Sequence, residues 1–233
     1  MTAILDQKRL FDAIRTVKGG PLSTEDVLEI NRALGLVADK PPPTVAEFIG
    51  GFIRAHEGGL SMRADDNGNY QGGRRGVGKL IGSKFGVTGP ALAAYRGVDP
   101  YSITADDIAN LTIEEAIKVG VRGYYERPRF DLLPWNRVTA SVVDKGWGSG
   151  PAQAIKLLQR MVGVADDGKM GPATASAYRD WLGRHGEEAA AHQWADVRIK
   201  FDTSLGQPQF LKGWNSRSRS FLPGTAWWRE WGV

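Results

Sequence analysis

Residues 44–59 read Thr44-Val45-Ala46-Glu47-Phe48-Ile49-Gly50-Gly51-Phe52-Ile53-Arg54-Ala55-His56-Glu57-Gly58-Gly59. Thr44 and Glu47 have the spacing of a capping box, in which each side chain satisfies a backbone N–H at the other residue. Val45, Ile49, Phe52 and Ile53 recur at helical spacing, and Gly58-Gly59 ends the pattern. The stretch predicts one amphipathic helix with Glu57 in its last turn. Lys40-Pro41-Pro42-Pro43 before it is a stiff linker. After it, glycine, aspartate and asparagine dominate and the helical period is lost through residue 89. Asp66-Asn67-Gly68 and Gly72-Gly73 are turn signals, and short strands are expected around Tyr70 and Lys79–Ile81.

Working outward, helical pattern returns on both sides. Upstream, Leu10, Phe11, Ile14 and Val17 share a face, Gly19-Gly20-Pro21 breaks the chain, and Ser23 is placed to cap a second helix bearing Val27, Ile30 and Leu34. Residues 1–40 are therefore expected to form a small helical hairpin. Downstream, helices are expected over Pro90–Tyr95 and Asp106–Asn110. A longer one follows, opened by a second capping box at Thr112 and Glu115, carrying Tyr124-Tyr125 near its end and stopped by Pro128. Val138–Trp147 is apolar enough for a buried central helix. Asp144 stands among its apolar residues, where a carboxylate needs a buried hydrogen-bonding role. Gly148-Ser149-Gly150 separates this helix from one starting near Pro151. Asp166–Pro172 is a tight loop that feeds a further helix with Pro172 at its first position. The expected fold is mainly α, a helical bundle with one small β-hairpin region.

Composition removes several classes of chemistry. The 233 residues include no cysteine, which excludes disulfides, thiol catalysis and cysteine–zinc sites. His56, His185 and His192 are too scattered to suggest a metal cluster, and no nucleotide-type phosphate loop is present. Asp65-x-Asn67-x-Asn69 resembles the start of a calcium loop, but Tyr70 occupies the glycine position and no Glu closes it. No metal or cofactor is expected. No apolar run approaches the roughly 20 residues of a membrane helix, and residues 1–20 are too charged for a signal peptide. The net charge of +4 is too small and dispersed for nucleic-acid binding. The C-terminal stretch is basic, with Lys212, Arg217, Arg219 and Arg229 against the single Glu230. It also holds Trp214, Trp227, Trp228 and Trp231. Such a tail suits an anionic outer-membrane surface or packs on the protein's own core.

Glu57 is the candidate for chemistry. A carboxyl at the C-terminal end of a helix faces the negative end of its dipole, and Phe52 and Ile53 offer apolar cover. Both effects favour the protonated form, which general-acid cleavage of a glycosidic bond requires. Its neighbours add context. His56-Glu57-Gly58-Gly59 is followed by Asp66-Asn67-Gly68-Asn69-Tyr70 and then by Gly82-Ser83-Lys84-Phe85-Gly86-Val87-Thr88. This succession resembles the peptidoglycan muramidases of glycoside hydrolase family 108, within the lysozyme-like superfamily. Downstream, Tyr124-Tyr125-Glu126-Arg127-Pro128 and Asp144–Gly150 continue the resemblance. Asp167-Gly168, Gly171-Pro172 and Thr174, then Phe210–Arg217, resemble the small peptidoglycan-binding helical unit that usually follows. The likeness covers roughly residues 44–220.

The resemblance implies an α+β lysozyme-like fold with a catalytic core over 44–150. A peptidoglycan-binding-like helical unit over 151–220 would pack on that core, followed by the basic, Trp-rich tail 221–233. It implies cleavage of the β-1,4 bond between N-acetylmuramic acid and N-acetylglucosamine, with Glu57 as the acid. Asp66 is the candidate second group, holding water or stabilising positive charge, against a plain role in an Asx turn. Asn69, Tyr70, Ser83 and Tyr125 are the candidate substrate contacts. Tyr70, Tyr125 and Trp147 could stack on sugar rings or serve as core. In this sequence Gly148 stands where the family has Asn, and Ser83 where it has Thr. The implied partner is the peptidoglycan glycan strand, met by a monomer. The implied setting is a phage endolysin, made in the host cytoplasm and acting in the periplasm after release. A lytic transglycosylase acting on the same bond and a non-catalytic wall-binding protein are the rival readings.

Overall fold

The structure is a computed structural model. It describes residues 7–23, 26–27, 30, 43–56, 58–223 and 225. Contacts divide the chain into residues 1–42 and residues 43–233. In the first unit α1 spans Gln7–Lys18, and Gly19 at φ 75° turns the chain out of it. Most of the second helix expected there lies outside the described residues.

In the second unit, α2 spans Val45–His56. Its capping box is formed: the Thr44 N–H donates to Glu47 Oε2 at 2.8 Å, and the Glu47 N–H donates to Thr44 Oγ1 at 3.3 Å. Phe48, Ile49, Phe52 and Ile53 are all buried in the core. The segment after α2 differs from expectation. Tyr70 and Leu80 form only an isolated bridge, and the sheet is instead β1 (Ser83–Lys84) antiparallel to β2 (Val87–Thr88), with Lys84 opposite Val87. The two connecting residues, Phe85 and Gly86, have φ of 53° and 72°. A two-residue hairpin whose turn matches strand twist needs positive φ at both positions. The glycine supplies one freely, while Phe85 adopts a conformation that costs a β-carbon-bearing residue about 1–2 kcal/mol.

Helices α3 (Gly89–Arg96), α4 (Ala105–Ala109) and α5 (Ile113–Val121) follow. The capping box expected at Thr112 is only half formed. Thr112 Oγ1 accepts from the Glu115 N–H, but the Glu115 carboxylate accepts from Arg96 instead, at 2.9 and 3.1 Å. A second complete box lies at Thr104 and Asp107. Past Val121 the helix widens into a π turn, Arg122–Glu126, which carries Tyr124 and Tyr125. α5 packs against α2 at Gly120, where a β-carbon would lie 2.8 Å from Ile49 Cγ2 and 3.3 Å from the Trp147 ring.

Helix α6 (Arg137–Ser149) is the expected central helix, with every residue from Val138 to Gly146 buried. Gly150 alone joins it to α7 (Pro151–Val162). In the loop that follows, the buried Gln159 amide donates to Asp167 Oδ1, the Lys169 carbonyl and Thr174 Oγ1, and its oxygen accepts from the Gly168 N–H. α8 (Pro172–Ser204) is broken at Gly186 (φ 75°, ψ 160°). α9 (Pro208–Arg219), where the sequence showed only a closing motif, packs on α8, and α7 and α8 both pack against α6. The fold is mainly α with one two-stranded hairpin. Among the described residues no helix is long and apolar enough to cross a membrane. Trp227, Trp228, Arg229, Glu230 and Trp231 of the expected tail lie outside the described residues.

Candidate active site

Glu57 lies outside the described residues. Both its sequence neighbours are described: His56 is the last residue of α2, and the Gly58 carbonyl accepts from the Phe85 N–H at 3.1 Å. The residue that carries the strained hairpin turn is thus hydrogen-bonded to the residue that follows Glu57 in the chain. Strain of this kind persists only where surrounding contacts hold it. Phe85 is half-buried against the core, and Lys84, whose ammonium lies 5.1 Å from the Phe85 ring centroid, donates to the Ala109 carbonyl at 2.7 Å.

Four of the candidate site residues fall between Gly58 and the hairpin turn, Ser83 on the first strand. Asp66 is exposed, and its Oδ1 accepts from the Gly68 N–H at 2.8 Å, capping a 3-10 turn over Asn67–Asn69. The Asx-turn role is therefore present. Asn69 requires a correction. It is fully buried, its Nδ2 donates to the Arg63 carbonyl at 2.9 Å, and its own carbonyl accepts from the Ile81 and Gly82 N–H groups. It shapes the loop from inside and presents no surface to a substrate. Tyr70 is half-buried and donates its hydroxyl proton to the Ala64 carbonyl at 3.1 Å. Ser83, also half-buried, exchanges both backbone hydrogen bonds with Ser61, at 2.8 and 3.0 Å. That pairing demands the glycine before it: at Gly82 (φ 84°) a β-carbon would lie 2.7 Å from the Ser61 carbonyl oxygen.

Tyr125 sits elsewhere, on the π turn, edge-on to Trp135 with ring centroids 5.7 Å apart. Burial, and next the charge of Asp131, push its hydroxyl above the usual tyrosine value. Trp147 stacks on Tyr124 at 4.2 Å and tilts against Phe52 of α2 at 4.7 Å, so it serves packing. The sequence did not single out what lies across Phe52: the Arg217 guanidinium, 4.6 Å from the ring centroid. Arg217 also binds Asp144 through Nε and Nη2, at 2.9 and 2.6 Å. Arg198 binds the same carboxylate at 2.7 Å. Burial alone would raise the Asp144 pKa, but the two guanidinium charges and their hydrogen bonds outweigh it and hold the carboxyl below the usual range. Lys145 pairs with Asp202 at 2.5 Å, and burial pulls its pKa below the ordinary lysine value. Asp144 among apolar neighbours was the one sequence signal of this network; its partners lie 54 and 73 residues away.

Residues 51–150 match the family described as glycosyl hydrolase 108, and residues 153–219 match a predicted peptidoglycan domain. Residues 51–150 are a glycosyl hydrolase 108 domain. Its fold is similar to a solved structure titled "Structure of Brucella abortus SagA", at TM-score 0.52 and 24% identity, covering 75% of this chain and 94% of that one. Comparison with curated protein sequences gives no match. The hydrolase acts on peptidoglycan, and a peptidoglycan domain follows its catalytic domain. The family match begins on α2 and ends at Gly150, the residue between α6 and α7.

Proposed function

We propose that the hydrolase is an N-acetylmuramidase that cleaves the β-1,4 bond between N-acetylmuramic acid and N-acetylglucosamine, with Glu57 as general acid. The observation that carries this reading is the bond from Phe85 to Gly58. It fastens the hairpin to the backbone immediately after Glu57, where a substrate strand held by the hairpin segment would meet the acid. Asp66 is the proposed second group. Exposed and oriented by Gly68, it would stabilise developing positive charge or hold the attacking water. Tyr70, Ser83 and Tyr125 remain proposed substrate contacts. For biological role we propose a phage endolysin, acting on the wall from the periplasm after release from the host cytoplasm. Lys212 and Arg219, the exposed basic residues of α9, would draw it to the anionic outer-membrane surface.

Digestion of purified peptidoglycan with mass analysis of the products tests the bond and the acid together. Hydrolysis should leave reducing muramic acid ends; products lighter by one water would replace the muramidase reading with transglycosylation. Glu57→Gln keeps the shape but not the proton, and should lower turnover by about 10²–10⁴-fold. A folded Gln variant with near-native turnover would remove Glu57 from the mechanism.

A further inference from the structure

Beside the Asp144 network lies a cavity of about 120 Å³ between α6, α8 and α9. It is lined by the buried Asp144, Lys145, Arg198 and Asp202, the half-buried Trp214 and Arg217, and the exposed Gly148 and Leu205. Arg198 is only 3% exposed. Its Nη1 donates to the Ser141 carbonyl and hydroxyl, and its Nη2 to Asp144. Its Nε–H has no acceptor. The cavity's carboxylates are taken up by its own cations: Asp144 accepts from Arg198 Nη2 and from Arg217, and Asp202 accepts from Lys145. A buried N–H left unmade costs about 1–3 kcal/mol, and such a group calls for an explanation. Arg198 is the residue of this cavity that carries such a group. Of the four buried side-chain atoms without a partner among the described residues, three belong to Arg198, Asn215 and Ser218, on α8 and α9.

A pocket lined by three cations and two carboxylates, with one unmatched guanidinium N–H among them, has a donor left over for an anion with oxygen acceptors. The volume admits a carboxylate on a small aliphatic carbon. In peptidoglycan, carboxylates of that kind are carried by the stem peptides. We propose that this cavity binds a free carboxylate of a peptidoglycan stem peptide, so that the helical unit holds a peptide branch while the catalytic half engages the glycan. The proposal rests on the hydrolase acting on peptidoglycan, and it adds a peptide determinant to the glycan reading above.

Calorimetric titration of the full chain tests it. The probes are a stem tetrapeptide ending in D-alanine, the same peptide amidated at its C-terminus, a form amidated at its internal carboxylates, and inorganic phosphate. Loss of one charge-assisted contact should weaken binding by about tenfold or more, and the amidated form that loses affinity identifies the carboxylate. Gly148→Leu supplies the structural arm. Gly148 lies in α6, and a β-carbon there meets nothing within 4 Å. A leucine should therefore fold normally, fill the cavity and abolish peptide binding. Equal binding of free and amidated peptides, binding of phosphate as tight as that of the peptide, or native affinity in Gly148→Leu would each overturn the proposal. Cleavage of peptide-free glycan strands, measured alongside, reports on the muramidase reading alone. Peptide binding without cleavage leaves the cavity assignment standing, and cleavage without peptide binding overturns it.

Discussion

The hairpin segment and the α6–α8–α9 junction hold polar groups in opposite ways. Between Gly58 and Thr88 the charged side chains are mostly exposed, and the backbone does the holding: Ser61 with Ser83, Asn69 with Ile81 and Gly82, Gly58 with Phe85. At the junction the charges themselves are buried, with Asp144 and Arg198 each 3% exposed and Lys145 and Asp202 paired beside them. Each region is fragile in its own way. A loop pinned by backbone geometry tolerates changes of charge and fails when a glycine is lost. A buried ion network tolerates little change of charge, because removing one partner strands another in a medium where solvation is poor.

The largest test of that contrast is Asp144→Asn. It leaves Arg198 buried without its counter-ion and should cost about 3–5 kcal/mol of stability, read as a lower denaturant midpoint. Asp65→Asn in the loop breaks only the exposed pair with Arg63 and should cost little by the same measurement. Equal losses would break the comparison. Its pH counterpart follows from the depressed Asp144 pKa. The unfolded chain takes up the proton first, near 3.8, while the folded carboxyl resists until lower pH. The stabilisation is therefore complete above the unfolded value and is lost as pH falls through the folded one. Acid denaturation of Asp144→Asn should show a correspondingly shallower fall in that range.

A smaller effect is expected at Gly82→Ala. The left-handed backbone alone costs alanine about 1–2 kcal/mol, and the β-carbon would press on the Ser61 carbonyl. Stability should fall, and turnover on peptidoglycan should fall with it if the hairpin positions the site. Lost stability with full turnover would separate the hairpin from the chemistry. The smallest effect runs the other way. Phe85→Asn places a residue that tolerates positive φ in the strained turn and should recover up to about 1 kcal/mol of backbone strain, less what the ring contributes to packing. A rise in melting temperature accompanied by lower turnover would show that the strain serves the site.

What could be read from the sequence was local. The Thr44–Glu47 box, the turn at Asp66-Asn67-Gly68 and the loop at Asp167-Gly168 each depend on residues within a few positions of one another, so their spacing is their structure. The apolar period likewise fixed the helices and the burial of α6. The sequence placed strands at Tyr70 and Lys79–Ile81, because it cannot say which extended pairs find two hydrogen-bonded partners. It counted Asn69 among substrate contacts, because an amide in a glycine-rich turn reads as exposed until the loop is seen to close over it. The partners of Asp144 were beyond its reach. A buried carboxylate must find a cation, and nothing local says that Arg198 and Arg217 supply it. The sequence determined which residues form helices and where the chain must turn, because those are contests among neighbouring dihedral angles and side chains. Only the tertiary structure decided which charges meet in the interior, because that depends on how helices far apart in the chain pack around α6.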